Sequence, residues 1–301
     1  MCGRVNRQSY KMIIVDYSSI SLGVVFAQGL RAVNEDLMRH MILNSLRMYN
    51  MKYRGEYGRM ILACDSNSWR KNHFEQYKAS RKKTRDESDG DWSAIFEILN
   101  GISAEIEENM PYQMLKVSGA EADDIIATLV ESTQEFGQHE PVLIISGDKD
   151  FIQLQRYNNV KQFSPMQKKF VTDTRNPERY LFEHVCRGDS SDGVPNILSA
   201  DDSFVTEGAR QTPLRQKKLD EFYSAYKKGD DLSAVMDANT YRNYCRNQTL
   251  INLSNIPKDI LDQIVETYQN TPLKSNTKVL NYLISKRCSQ LVACAEEFFI
   301  K

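Results

Sequence analysis

MIIVD (residues 12–16) decides the fold, because four apolar residues run into an aspartate, as in a buried strand that ends at the edge of a sheet. The same pattern returns in MILACD (60–65) and PVLIISGD (141–148), and residues 112–117 alternate as a further strand. Helical spacing fills the stretches between them, at 35–51 with Asn34 as N-cap, 93–109 and 121–135. This alternation predicts an α/β fold with a central, mostly parallel sheet and helices on both faces.

Beyond about residue 175 the strand pattern fades. Helical patterns continue near 176–187, 214–228, 232–246, 257–268 and 277–299. We therefore predict an α/β domain at 1–175 and a smaller, mainly helical domain at 176–301, packed against each other.

The composition is that of an ordinary globular protein, with 41% hydrophobic and 26% charged residues among 301. No apolar run reaches the roughly 18 residues of a membrane span. The six cysteines form no C-x-x-C pair, and neither they nor the four histidines show zinc-site spacing. We expect a soluble, cytoplasmic protein with reduced thiols and no membrane partner.

Acidic residues follow all four predicted strands. Because the carboxyl ends of parallel strands lie along one edge of a sheet, we expect these side chains to lie together. A single such acid is more often a turn or helix cap, but four coincidences favour a site. A fifth segment, GDSSDGVPN (188–196), adds two acids three residues apart. The candidates are Asp16, Asp65, Glu121, Asp123, Asp124, Asp148, Asp150, Asp189 and Asp192.

Clustered carboxylates raise one another's pKa unless cations neutralise them. Oxygen ligands favour Mg²⁺, with Mn²⁺ as a substitute, and more acids than one ion can use indicate two ions. Two such ions typically catalyse phosphodiester cleavage, where one activates water and the other stabilises the leaving oxygen.

The net charge of −1 first suggests that there is no nucleic-acid partner. However, RKNHFEQYKASRKKTR (70–85) carries seven basic residues and one acid, a local charge of +6 directly after Asp65. Aromatic side chains among cations suit single-stranded nucleic acid. A solvated charged helix is the alternative for this segment, and its position beside the acids favours binding.

Six motifs together resemble the 5′-nuclease family, which includes flap endonucleases, the 5′-nuclease domains of bacterial DNA polymerases and, most similar, the ribonuclease H of T-even phages. They occur in the family's order and spacing and cover roughly residues 12–196. The motifs are IIVDYSS (13–19), ILACDSNSWR (61–70), YKASRKK (77–83), GAEADDIIA (119–127), GDKDFIQL (147–154) and GDSSDGVP (188–195).

The resemblance implies a Mg²⁺-dependent 5′→3′ exonuclease and flap endonuclease with ribonuclease H activity, which removes RNA primers and adjacent DNA from lagging-strand fragments. By this resemblance, Asp16, Asp65, Asp123 and Asp148 would surround the first ion, and Asp150, Asp189 and Asp192 would support the second. Glu121 would join the metal network, and Asp124 would lie just outside the direct ligands.

The basic segment would form an arch at about 70–90. Lys78 and Arg81 match the family's pair at the scissile phosphate, and Tyr77 is placed to stack on a frayed base. The resemblance implies further nucleic-acid contacts by Arg70, Lys82, Lys83 and Arg85.

The family's helix-hairpin segment is altered here, since Gly193 and Asn196 replace its Asn and Gly. We therefore expect no potassium site, and a different duplex contact through Arg210, Arg215, Lys217 and Lys218. The implied partners are RNA–DNA hybrids, 5′-flap and forked DNA, with a single-stranded-DNA-binding protein and a sliding clamp as candidates for a monomeric enzyme. EEFFIK (296–301) is either a clamp-binding peptide or the last turn of a packed helix.

Two other interpretations stay open. A phosphatase or receiver-type domain also places aspartates at strand ends, but the basic segment has no role there. A catalytically inert flap- or junction-binding protein would bind without cleaving, although such a descendant is expected to have lost some of the acids.

Overall fold

A computed structural model describes residues 11–31, 33–134, 139–173 and 176–300. Its centre is a six-stranded sheet in the order β3-β2-β1-β4-β5-β6, in which the first five strands are parallel and β6 is antiparallel. The strands are β1 (Met12–Asp16), β2 (Arg59–Cys64), β3 (Gln113–Lys116), β4 (Val142–Ile145), β5 (Val160–Ser164) and β6 (Lys169–Phe170). The α/β prediction is confirmed, and β5 and β6 extend the sheet beyond the four predicted strands.

The strand register aligns the predicted acids. β1 lies between β2 and β4, with Asp16 opposite Ala63 and Val15 opposite Ile145. The residues that follow β2 and β4 therefore emerge beside Asp16 at one edge of the sheet, where ligands bind in open parallel sheets.

Twelve α-helices surround the sheet in the described residues. Six precede the C-terminal third: α1 (Tyr17–Gln28), α2 (Glu35–Tyr57), α3 (Ser80–Asp86), α4 (Trp92–Asn109), α5 (Ala122–Ser132) and α6 (Pro177–Arg187). The others are α7 (Gln216–Lys228), α8 (Leu232–Val235), α9 (Ala238–Ile251), α10 (Lys258–Asn270), α11 (Val279–Ser285) and α12 (Ser289–Val292).

Two predicted helices are interrupted. The stretch 232–246 divides into α8 and α9, because the Asp237 side chain accepts from the Thr240 N–H at 2.9 Å and starts a new helix. The stretch 277–299 divides into α11, α12 and short 3₁₀ turns. The end of the predicted helix at 121–135 falls partly on residue 135, outside the described residues.

Helices from both halves of the chain cover the sheet. On one face, α2 and α4 pack with α11 and α12 in a core that includes Phe298, which is fully buried. On the other face, α5 and α10 pack together. A third apolar cluster joins α6, α7 and α9 to Phe74 and Tyr77 of the predicted arch segment. The C-terminal residues thus complete the sheet's two cores and also build a helical unit beside its acidic edge.

No described helix has both the length and the apolar sequence that crossing a bilayer requires.

Candidate active site

A network of hydrogen bonds joins Asp16, at the end of β1, to Asp148 and Asp150, which follow β4. The buried Asp16 caps α1 by accepting from the Ser19 N–H at 2.9 Å, and its other oxygen accepts from the Ser146 hydroxyl at 2.9 Å. The Asp148 N–H donates to Ser146 Oγ at 3.1 Å, and Asp148 Oδ1 accepts from the Asp150 N–H at 2.9 Å. Asp65 is held at the same edge, where its Oδ1 accepts from the N–H of Ala122 at 2.9 Å.

Three of these carboxylates, Asp16, Asp123 and Asp148, are called the crowded group here. Burial, with the charge of Asp65, raises the pKa of Asp16 to about 6. Partial desolvation and the charge of Asp150 raise the pKa of Asp148 to about 7, although this residue keeps exposed surface, and desolvation and the charge of Asp148 raise the pKa of Asp123 well above its ordinary value. Negative charge is therefore unfavourable in this group, and a cation would relieve it.

A second set of donors, the histidine group, lies in a cleft of about 570 Å³ beside β4. His184 Nε2 lies 2.7 Å from Asp150 Oδ1, and together with a carboxylate oxygen of Asp189 these atoms lie within 4.8 Å of one another. Burial lowers the pKa of His184, but the Asp150 carboxylate more than offsets this and leaves it raised. These three side chains could hold a metal ion.

A tight turn presents the acids of the fifth segment. Gly188 ends α6 at φ 70°, and a Cβ there would lie 2.3 Å from the Val194 carbonyl oxygen. Asp189 and Val194 exchange backbone hydrogen bonds of 2.8 and 2.7 Å across the turn. The chain therefore requires glycine at this position to bring Asp189 to the cleft.

The remaining acids are bound to cations and form the paired group, Glu121, Asp124 and Asp192. Asp124 is fully buried and forms an ion pair with Arg70, in which Arg70 Nη2 lies 2.8 Å from Asp124 Oδ1. Asp192 Oδ1 lies 2.5 Å from Nη2 of Arg81. Glu121 binds Lys78 with one oxygen, and its other oxygen accepts from Ser68, Arg70 and Tyr77.

The pKa of Glu121 shows the effect of this pairing. Burial raises it, but the charges of Lys78 and Arg70 outweigh burial and lower it. Burial raises the pKa of Asp192 in spite of Lys78 and Arg81. Lys78 binds Glu121, and Lys78 and Arg81 bind Asp192, so these protein cations compete with a metal ion for both carboxylates, and direct ligation by these two residues stays a prediction.

Two predicted nucleic-acid contacts need correction. The Arg70 side chain is 3% exposed, and its Nε donates to the Leu250 carbonyl at 2.8 Å. Tyr77 is also buried, and its hydroxyl, with one hydrogen to donate, lies 2.9 Å from Glu121 Oε2 and 2.8 Å from Asp192 Oδ2. Neither side chain has the exposed surface that contact with a nucleic acid requires. Both instead connect the base of the arch segment to the acidic edge.

The outer part of the arch segment, α3, is largely open to solvent. Lys82 and Lys83 are exposed on α3, and the Arg85 guanidinium lies 5.8 Å from the centre of the Phe96 ring. At the base, Lys78 has φ 57°, and its N–H donates to the Asp192 carbonyl at 2.7 Å. The segment thus has a fixed base at the acids and a cationic helix beyond them.

Three of the four predicted duplex contacts lie at the start of α7, the end of this helix that is nearer to the cleft. Helices α6 and α7 pack antiparallel to each other. At one end Arg187 Nη2 lies 2.7 Å from Gln216 Oε1, and at the other end Lys227 Nζ lies 2.9 Å from Glu178 Oε2. Because Arg187 also lines the cleft, the start of α7 is near it. The exposed basic residues there are Arg215, Lys217 and Lys218, and Arg210 is exposed in the loop before α7.

Sequence reasoning missed His184 and Ser146. A signal for His184 was present, since it lies on a predicted helix four residues before a Gly-Asp turn, but a lone histidine has no ligand spacing. Ser146 follows a predicted strand, and only the register with Asp16 reveals its contact.

A parallel sheet with acids at one edge beneath a cationic segment defines a nuclease of the 5′-nuclease class. The family profile described as "5'-3' exonuclease, N-terminal resolvase-like domain" matches residues 11–181, and that described as "T4 RNase H, C terminal" matches residues 176–298. The chain belongs to this 5′–3′ exonuclease family and is a nuclease.

Relatives support the assignment along the whole chain. Ribonuclease H of Enterobacteria phage T4 is 32% identical over 303 residues, which covers 97% of each chain. DNA polymerase I of Bacillus subtilis is 26% identical over 70% of this chain, which corresponds to 24% of that longer protein. Among solved structures, the T5 D15 protein co-crystallised with metal ions shares the fold, with a TM-score of 0.62, 16% identity and coverage of 87% and 99% of the two chains.

Proposed function

We propose that this nuclease is a divalent-cation-dependent 5′→3′ exonuclease and flap endonuclease with ribonuclease H activity, and that it removes RNA primers and adjacent DNA from lagging-strand fragments. The observation that carries the proposal is the crowded group at the edge of the sheet, directly beside a fixed cationic segment. The similarity to a phage ribonuclease H along 97% of the chain supports the choice of substrate.

The donor set fits two divalent cations, most simply Mg²⁺. Asp16, Asp65, Asp123 and Asp148 would hold one, and Asp150 and Asp189 the other. The raised pKa of Asp16 and Asp148 is the observation that supports this fit, because carboxylates that repel one another gain most from a cation. When bound, such ions lower the pKa of water and stabilise charge on phosphate oxygens.

The chain's own cations would bind and orient the phosphate. Lys78 Nζ already lies at the acids, 3.4 Å from Asp192 Oδ2, and the Arg81 side chain is 46% exposed beside it. Both would donate to non-bridging oxygens of the scissile phosphate and stabilise the charge that develops there. Water adds to phosphorus and the 3′ oxygen leaves, which gives a 5′-phosphate product.

Two exposed basic surfaces would hold the substrate. Lys82, Lys83 and Arg85 on α3 would contact the 5′ single strand, and the start of α7 would contact the duplex backbone. Phosphate contacts of this kind position a substrate without reading its sequence.

We propose that the enzyme acts as a monomer in the cytoplasm, in a host cell if phage-encoded. Phe298 lies in the core, so a clamp contact at the C-terminus would have to use other residues.

A cleavage assay tests the proposal. A 5′-labelled flap and an RNA–DNA hybrid are incubated with Mg²⁺ and wild type, or with Asp148→Asn combined with Asp150→Asn. We expect the double variant to lose at least about 1,000-fold in rate, since it removes ligands of both ions. Glu56→Gln is the matched control, because Glu56 is an exposed acid near Lys161 at the opposite edge of the sheet.

Undiminished cleavage by the double variant would contradict the proposal. Binding of the flap in EDTA with no product from wild type in Mg²⁺ would favour the inert binding protein instead. Hydrolysis of a small phosphomonoester without cleavage of nucleic acid would favour a phosphatase.

A further inference from the structure

His184 lies among the acids of the cleft. The distances between the donor atoms of the histidine group are close to those between ligands of one metal ion. His184 Nε2 lies 2.7 Å from Asp150 Oδ1, and one oxygen of Asp189 completes a set within 4.8 Å. With metal bonds of about 2.1 Å, adjacent octahedral ligands lie about 3 Å apart and opposite ones about 4.2 Å apart. Small adjustments would therefore place all three donors on one divalent cation.

Three separate elements fix these donors. Asp150 begins the 3₁₀ turn after β4, and His184 lies on the last turn of α6, where its ring packs 5.8 Å from that of Tyr180. Asp189 is held in the Gly188 turn, where Oδ1 accepts from the N–H of Ser191 at 2.8 Å and from its hydroxyl at 2.7 Å. The group is positioned by the fold before any ion binds.

An imidazole changes which cation such a group prefers. Mg²⁺ favours oxygen donors throughout, whereas imidazole nitrogen favours transition-metal ions. We propose that His184 is a metal ligand, and that it gives the Asp150–His184–Asp189 position a preference for transition-metal ions such as Mn²⁺ and Co²⁺ over Mg²⁺. This rests on the proposed function and deepens it, because it names the side chain that selects one of the two cations.

The alternative role for His184 is to position Asp150 by donating a hydrogen bond. His184→Gln separates the two roles. A glutamine carboxamide can still donate to Asp150, but it is a much weaker ligand for Co²⁺ than imidazole. A positioning residue would therefore be rescued by glutamine, whereas a ligand would not.

The experiment titrates the full chain with Co²⁺ and, separately, with Mg²⁺, in the absence of nucleic acid. Co²⁺ is followed by its visible absorption, and both ions by calorimetry. We expect His184→Gln to alter the Co²⁺ spectrum and to lower Co²⁺ affinity about 10-fold or more, with Mg²⁺ affinity changed less than about 2-fold. Asp189→Asn should remove the same Co²⁺ signal.

His139→Asn is the matched control. His139 is exposed before β4, at the opposite edge of the sheet, and asparagine tolerates its φ of 43°. We expect this variant to bind both ions as wild type does.

Equal losses of Co²⁺ and Mg²⁺ affinity in His184→Gln would overturn the proposal and leave His184 as a positioning residue. Unchanged affinities would overturn it as well. A protein that shows the Co²⁺ preference but cleaves no flap or hybrid would instead contradict the proposed function, so the two failures are distinguishable.

Discussion

The crowded group and the paired group lie at the same edge of the sheet, yet only the carboxylates of the paired group form ion pairs with protein cations. Among the described residues, 11–31, 33–134, 139–173 and 176–300, none of Asp16, Asp123 and Asp148 forms an ion pair, and the pKa of each is raised. Glu121 is buried to the same extent as Asp16, but Lys78 and Arg70 lower its pKa. Burial alone therefore does not identify a cation site. The absence of a protein cation paired with the carboxylate is what identifies a candidate cation site.

The largest effect on stability is expected where the paired group loses a partner. Arg70→Ala leaves Asp124 fully buried without its guanidinium, and breaking a buried pair in this way typically costs about 3–5 kcal/mol. Urea unfolding measures the loss. Arg81→Ala is the comparison. The Arg81 side chain is half-exposed where it pairs with Asp192, so its loss should lower the free energy of unfolding by less than about 1 kcal/mol. Equal losses would show that burial does not separate the two arginines.

The crowded group should respond in the opposite direction. Asp16→Asn retains an acceptor for capping α1 but removes a carboxylate whose folded pKa, about 6, lies above the ordinary 3.8. The ionised carboxylate costs stability progressively as pH rises from 3.8 to 6. We expect the variant, without metal, to be about 3 kcal/mol more stable at pH 8 and unchanged at pH 3. Thermal unfolding that shows destabilisation at pH 8 would contradict this.

Glu105 offers the converse test away from the site. Burial raises its pKa, but hydrogen bonds from Arg39, Lys286 and Tyr282 outweigh burial and lower it. Its contribution to stability is therefore present above pH 4.5 and lost as pH falls through the lowered folded pKa. As pH falls below 4.5, wild type should lose more stability than Glu105→Gln. Parallel unfolding curves against pH would show that this pairing has no such effect.

The smallest effect is expected on the exposed arch. Lys83→Ala should lower the slope of binding affinity against salt concentration by about 1 on logarithmic axes, with little change in stability. Fluorescence anisotropy with a labelled 5′ flap measures this slope. Lys161→Ala, an exposed lysine at the opposite edge, should leave the slope as it is in wild type.

The sequence predicted elements with strong periodicity and misjudged those fixed by tertiary contacts. The helix after Asn34 begins where predicted, because the Asn34 side chain accepts from the Leu37 N–H at 2.8 Å. Helix α1 was missed, since its serines weaken the apolar pattern that Asp16 nonetheless caps. Strand β6 has only two residues and is exposed, so it leaves no pattern to detect.

The acids of the site could be predicted by position, because parallel strands end at one edge. Their division into two groups could not. Arg70 and Lys83 look alike in a basic run, and only the fold shows that Arg70 lies beneath α5 with Asp124 while Lys83 faces solvent. Apart from the nucleic-acid contacts of the buried Arg70 and Tyr77, the roles predicted for the individual site residues remain predictions.

Cation-linked stability tests the central claim most directly. We expect saturating Mn²⁺, about 100 times its dissociation constant, to stabilise wild type in thermal unfolding by about 2.7 kcal/mol for each ion bound. Glu121→Gln should keep the full gain even if it lowers the basal stability, whereas Asp16→Asn combined with Asp148→Asn should lose the part that comes from the ion of the crowded group and keep the part from the Asp150–His184–Asp189 position. If the double variant keeps the full gain and Glu121→Gln loses it, the paired group binds the cation and the distinction between the two groups is wrong.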